Sequence, residues 1–445
     1  MEKRLYTAAI QLGREKYIAM KKSKKRVLKW SISVLLILIG AFALYIVLRY
    51  GNYVRSLASV ERMDGDTVYS MTYYGDYYFD EYVEQGGAQS PEDIDEFLRA
   101  KLTKGLPDLL VPDSYSCSAF MAHTPDGDVL VGRNFDFDFA PAIVLKTQGK
   151  GENASISVSD GAFIGLSSDS ELVDSGLCED AVPLLSSPYL PMDGMNEYGL
   201  AIAVLTTEVD ETIQIEGAPS FNASTMIRLV LNNAKNVDEA FELISTNNIF
   251  WYGGYSCHFM LADRSGRFAV AEYHDGTVEL IEPADVPAVT NFCLYKKNNR
   301  GEGYDRYGEI AQKLDGYGGI MTEDEALDLL KSVCIKDSTQ WSVLYNLTTG
   351  DVKIYAHENR EQVYSFTLDL LPQERVKEII EANACCKSGA RLKASRDFAR
   401  IHKDETIEEE YFSLYFILLK YKLRMPLNSP KKLFSSIYFY FSLAL

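Results

Sequence analysis

Apolar and polar positions sort most clearly around Pro125-Asp126-Gly127-Asp128, which two apolar-rich runs flank. An Asp-Gly between such runs is a strong short-range hairpin signal. With Asp126 and Gly127 as the loop, Cys117 heads the first strand and stands across from Asp136 in the second. Directly opposed side chains lie about 5 Å apart. The pattern predicts two further hairpins, 257–261 with 267–273 and 341–347 with 352–355, around Gly266 and Gly350. A buried strand follows the polar turn that ends at Gly199, and another short strand covers 286–293. Helices are expected from Ser90, an N-cap followed by Pro91, to about Lys104, and again over 223–234. Asn236-x-x-Glu239 and Thr322-x-x-Glu325 are capping boxes that open two more. Hairpins alternate with helices and no dinucleotide-binding glycine pattern occurs, so the expected class is α+β, stacked antiparallel sheets covered by helices.

One stretch does not fit a soluble domain. Residues 30–48 (WSISVLLILIGAFALYIVL) carry no charge, close to the ~20 residues that span a bilayer. Lys21, Lys22, Lys24, Lys25, Arg26 and Lys29 precede the run, whereas Arg49, Arg55 and Arg62 are thinly spread after it. That bias predicts a single-pass cell-membrane protein with a cytoplasmic N-terminus and everything beyond Arg49 outside. The competing reading is a signal peptide cut at Ala41-Phe-Ala43; the apolar run continues past Ala43, which favours an anchor. The organisation expected is a basic cytoplasmic segment (1–29), a transmembrane helix (30–49), an extracytoplasmic upstream segment (50–116), a main domain (117–384) and a tail (385–445). Residues 49–89 are rich in tyrosine and acid, and tandem aromatics of that kind read as ordered. The tail is basic, then briefly apolar over 411–419, too short to span, and reads as poorly ordered or membrane-peripheral.

Composition narrows the chemistry. The 445 residues suffice for one large or two ordinary domains, and a net charge of -18 argues against nucleic acid as a partner. The seven cysteines show no CxxC spacing, and an odd count is compatible with one free, reactive thiol. The five histidines show no ligand spacing, and Cys257-His258 on a strand would point to opposite faces, so no metal or cofactor is expected. A thiol at the start of a strand, facing a carboxylate that an arginine precedes by three residues, reads as a site.

Cys117, Asp126-Gly127 and Gly132-Arg133-Asn134-x-Asp136 resemble the opening block of the choloylglycine hydrolase and linear amide C–N hydrolase group of N-terminal-nucleophile hydrolases. Gly194-Met-Asn-Glu-x-Gly-Leu200, Thr290-Asn291, Tyr304-Asp-Arg306, Trp341-Ser-Val-x-Tyr-Asn and Ser365-Phe-Thr-Leu-Asp resemble later blocks, so the likeness covers about 115–371. Where bile-salt hydrolases carry a second asparagine this chain has Thr206, and the short interval from Asn291 to Arg306 is closer to the acid ceramidase and isopenicillin acyltransferase branch. The resemblance implies a four-layer αββα sandwich and a Ser116–Cys117 bond cut by the Cys117 thiol. It implies catalytic roles for Cys117 as nucleophile, Arg133 beside the thiolate, Asp136 holding the ammonium, Asn291 donating to the oxyanion, and Arg306 positioning the group. The upstream segment, in that branch, is a retained subunit. The implied substrate is a small acyl amide, with acyl transfer as compatible as hydrolysis. A non-catalytic membrane-anchored binding ectodomain is the competing class; a Cys-His protease would need a histidine near Cys117 that no motif supplies.

Overall fold

The computed structural model describes residues 2–63, 68–103, 116–137, 141–149, 151–166, 179–208, 212–251, 256–295, 301–356, 361–372, 375–376 and 379. The tail expected at 385–445, with Cys385 and Cys386, lies outside the described residues, as does Cys178. The chain divides into two compact units after Asn52. A single helix runs Glu2–Ala58. Its stretch Leu28–Tyr45 has a mean hydropathy of 1.9, long and apolar enough for a membrane span or a signal sequence. Side chains there, Leu36 and Ile37 among them, are exposed in the isolated chain.

In the second unit, two sheets carry the fold. The smaller has six strands in the order Ala288–Val289, Ser116–His123, Val129–Asp136, Thr339–Asn346, Asp351–Ala356 and Tyr364–Thr367, all antiparallel. Alternation gives each strand two faces. Phe120, Leu130 and Leu344 face the helices Tyr304–Gly316 and Glu323–Ser332, packing on Ile310, Leu314 and Leu330. Cys117, Arg133, Trp341 and Tyr345 face the other sheet, where Arg133 and Tyr345 bond to Val204 and Asp193. That larger sheet has nine strands, including Val68–Tyr73, Ala142–Thr147, Pro191–Asn196, Leu200–Thr206, Cys257–Asp263 and Phe268–His274. Helices Ala223–Asn233 and Val237–Ser245 cover its far side, where Asn196 donates to the Leu231 and Ala234 carbonyls. The layers therefore run helix, sheet, sheet, helix.

The first hairpin differs from the expectation by one residue. Its pairs are Ser116 with Asp136 and Cys117 with Phe135, so Cys117 does not stand across from Asp136. Proline explains the shift. A two-residue Asp126-Gly127 loop would need an N–H at position 125, and Pro125 has none. The loop is instead residues 124–128: the Gly127 N–H bonds to the Thr124 carbonyl, which makes Pro125 the first corner of a β-turn, and Gly127 then turns left-handed at φ 92°. The 286–293 strand is also shorter than expected, Ala288–Val289 only. The capped helices form where expected, with Ser90, Asn236 and Thr322 each accepting an N–H of the first turn.

The described residues 68–103 of the upstream segment are built into the fold. Val68–Tyr73 pairs in parallel with Ala142–Thr147 through all six residues. Behind it, Tyr73, Tyr77, Phe79, Tyr82 and Phe97 form a chain of ring contacts that reaches Tyr189 and Phe221 beyond position 117. Edge-on aromatic pairs are worth about 0.5–1.5 kcal/mol each beyond the area they bury. Tyr82 sits at the centre, fully buried against Phe79, Phe97, Tyr189 and Phe221. Tyr82→Ala should therefore lower the unfolding free energy by about 3 kcal/mol, read from the midpoint and slope of a urea transition.

Candidate active site

Cys117 is the second residue of its strand and fully buried. Arg133 lies two residues before Phe135, the partner of Cys117, so both side chains emerge on the sheet–sheet face. The Arg133 Nη2 lies 3.5 Å from the Cys117 Sγ and donates to the Val204 carbonyl at 2.9 Å. On its other side Nη1 lies 2.8 Å from Asp193 Oδ2. Asp193 also accepts from the Tyr345 hydroxyl and, at 3.4 Å, from the Trp341 indole. The sequence reading missed Asp193. The polar turn expected before Leu200 is, over Pro191–Asn196, itself a buried strand, and the Asp193 charge within it requires a partner.

Asp136, by the same alternation, points to the helix side with Ser116. The partner strand bulges at Gln340, between Thr339 opposite Asp136 and Trp341 opposite Phe135. Thr339 Oγ1 donates to Asp136 Oδ1, and Arg306 Nη1 donates to Asp136 Oδ2 at 3.0 Å. Arg306 is the third residue of the helix that Gly303 caps, and its Nη2 donates to Ser116 Oγ at 2.9 Å. Gly303 has φ +81°, and a Cβ there would meet Arg306 Nη2 at 2.9 Å, so glycine keeps that guanidinium in place.

Asn291 joins the two faces. Its Oδ1 accepts the Cys117 N–H at 2.8 Å, the Ser116 hydroxyl at 2.9 Å and the Arg306 Nη2 at 2.7 Å. Its Nδ2 donates to the Thr206 carbonyl and hydroxyl at 2.8 and 2.9 Å. Three donors around one oxygen fix which way the amide points. Asn291 therefore presents its acceptor oxygen to the Cys117 nitrogen and its donor nitrogen to Thr206. The five expected residues are one connected group: Arg133 to Cys117, Cys117 to Asn291, Asn291 to Arg306, and Arg306 to Asp136.

Burial pushes the Cys117 thiol up to about 11, against the pull of Arg133 and Arg306; Asp136 adds to the rise with its charge while its backbone N–H opposes it. At neutral pH the thiol is therefore neutral, and a thiolate there requires a base. For Asp193 burial also dominates and raises the carboxyl, with Arg133, Tyr345 and Trp341 opposing.

Residues 188–361 match the family model described as acyl-coenzyme A:6-aminopenicillanic acid acyl-transferase. The matched stretch contains Asn291 and Arg306, and the group is the one that the Cys117 block resembles. No curated protein sequence matches the chain. Among solved structures, a mutant of the conjugated bile acid hydrolase from Clostridium perfringens is similar with a TM-score of 0.41 at 15% identity, covering 58% of this chain and 94% of that one. Penicillin V acylase from Agrobacterium tumefaciens has a TM-score of 0.40 at 18% identity, over 57% and 87%.

Removing one partner of a buried ion pair leaves the other charge uncompensated. Asp193→Asn should accordingly cost about 3 kcal/mol of unfolding free energy in chemical denaturation, far more than the ~0.5 kcal/mol of an ordinary surface change.

Proposed function

We propose, from the acyl-transferase family match over residues 188–361, that this chain is an N-terminal-nucleophile amidase that makes its own nucleophile by cutting the Ser116–Cys117 bond. The observation that carries the reading is the pairing at Cys117: Arg133 Nη2 at 3.5 Å from its sulfur and Asn291 Oδ1 at 2.8 Å from its nitrogen. In the cutting step a water molecule acts as the base: it takes the thiol proton as the sulfur attacks the Ser116 carbonyl carbon, and hands it to the departing nitrogen as the peptide C–N bond breaks. Water then hydrolyses the thioester, leaving a carboxylate on Ser116 and a free amine on Cys117.

For turnover, that amine supplies a built-in base. An α-amino group has a pKa of about 8, close enough to neutrality to accept the thiol proton. Arg133 favours the resulting thiolate. Asn291 Oδ1 holds the amine, and Asp136 orients Arg306, which in turn bonds to that oxygen. The thiolate attacks the substrate's amide carbon, and the ammonium returns its proton to the leaving amine. Water again resolves the thioester. Asn291 Nδ2, which gives both N–H groups to Thr206, releases the one on the Thr206 hydroxyl to the oxyanion, a contribution of about 3 kcal/mol.

The four-layer αββα sandwich of this enzyme class fits the order of layers described above. Retention of the upstream segment after cutting is supported by its strand at Val68–Tyr73 and by its ring contacts to Tyr189 and Phe221. The Leu28–Tyr45 helix, with lysines before it, would tether the enzyme to the cell membrane with its domain outside. The linear acyl amide is the substrate class. A second reading, acyl transfer to an amine in place of water, is favoured by the matched family being an acyl-transferase.

Sequencing the N-terminus of the purified protein should find Cys117, with residues before it in a second chain that co-purifies. Cys117→Ala should remain one chain of 50.0 kDa and lose amide turnover by at least about 1000-fold. A wild-type chain uncut at this bond that still releases amine from acyl amides would falsify the reading. Added amine acceptors separate the two outcomes: a new amide forms only if transfer competes with water.

A further inference from the structure

The buried group formed by Glu272, His258 and His274 takes no part in the chemistry above. It lies under the segment that carries Asn291. After the Ala288–Val289 strand the chain runs through 290–295 with a single isolated bridge, at Phe292. A side chain on such a segment needs support, because a misplacement of 1 Å costs a reaction about 100-fold.

Two adjacent strands of the larger sheet provide that support. His258, on Cys257–Asp263, has Nε2 2.9 Å from the Thr290 carbonyl, which can only accept. Its Nδ1 lies 2.8 Å from Glu272 Oε1. Glu272, on Phe268–His274, accepts the Leu294 N–H at 2.9 Å on one oxygen and the Tyr295 N–H at 2.9 Å on the other. His274 Nε2 lies 2.9 Å from Glu272 Oε2, and its ring stacks on Tyr295 at a centroid distance of 4.3 Å. Both Glu272 and His258 are fully buried. One carboxylate–imidazole pair thus grips the chain just before Asn291 and again three and four residues after it. Burial alone would raise the Glu272 carboxyl, but His258, the backbone N–H groups and His274 hold it at about 2. It is an anion at neutral pH, and the segment's own N–H groups help to satisfy it.

A metal is the other reading of this cluster, since Glu272, His274 and Cys293 each place a donor atom within 4.8 Å of the others. The Glu272 oxygens, however, already accept those N–H groups, and the Cys293 thiol donates to the Glu208 carbonyl at 2.6 Å. Hydrogen bonding accounts for the cluster as it stands.

We propose that Glu272 and His258 are positioning residues that set Asn291 Oδ1 against the Cys117 nitrogen, an inference that rests on the reading of Cys117 as nucleophile. Glu272→Gln replaces one acceptor oxygen by an NH2 facing N–H donors, which opens the grip on Leu294 and Tyr295. His258→Leu removes the donor to Thr290, whereas His258→Gln retains one.

The test uses the full chain and follows cutting at Ser116–Cys117 in time, with amide turnover by the cut fraction and circular dichroism as the check on folding. Glu272→Gln and His258→Leu are expected to slow cutting about 100-fold and to lower kcat with KM held within about twofold. His258→Gln should recover cutting to within about tenfold of wild type. If Glu272→Gln does not fold, the His258 pair decides. Folded Glu272→Gln or His258→Leu that cuts and turns over as wild type overturns the inference, as does equal loss in both His258 variants. Stoichiometric zinc in the purified protein, lost on Cys293→Ala, also overturns it. A wild-type chain that stays whole removes the nucleophile reading and this inference with it; a wild-type chain that cuts, with unaffected variants, removes the inference alone.

Discussion

A guanidinium sealed between two sheets is the constraint on which the site depends. Arg133 has no exposure to solvent, and moving such a cation out of water costs several kcal/mol unless opposite charge and acceptors offset it. The facing sheet provides the Asp193 carboxylate and the Val204 carbonyl, and the arginine's own sheet provides the Cys117 sulfur. Offsetting this charge ties the two sheets together, and the nucleophile candidate is one of the groups around it. A slip of one residue in the 116–136 hairpin would turn Arg133 towards the helices and leave Asp193 alone. Fold and chemistry share a register.

That register also divides the site between layers. The Cys117 side chain belongs to the sheet–sheet interior, with Arg133 and Phe135. Ser116, Asp136 and Arg306 gather on the helix side. The Cys117 nitrogen lies between them and meets Asn291 from the neighbouring edge of the sheet. Sulfur and nitrogen of one residue are thus addressed by different elements, which is what a residue serving as both nucleophile and base requires.

Local chemistry was readable where one residue decides the outcome. Ser90, Asn236 and Thr322 cap helices because their side-chain oxygens reach the N–H three residues on. The block from Cys117 to Asp136 singled out three of the five candidate residues and later blocks the other two, Asn291 and Arg306; direct bonds join them in the structure. What escaped depends on partners distant in sequence. Asp193 needs Arg133 and Tyr345 to be understood, and Glu272 needs backbone groups of 294 and 295. The hairpin register escaped for a local reason: Asp126-Gly127 has the composition of a two-residue turn, and the missing N–H of Pro125 overrides it.

The strand at Val68–Tyr73 sits in the larger sheet, yet it precedes Cys117 in the chain. While the polypeptide is whole, that pairing forms within one molecule at a high effective concentration. Scission at Ser116 would turn it into an association between two chains, dependent on how much of each is present. Such a protein assembles easily once and reassembles poorly: its durability after maturation becomes a matter of how slowly it opens, not of where an equilibrium lies.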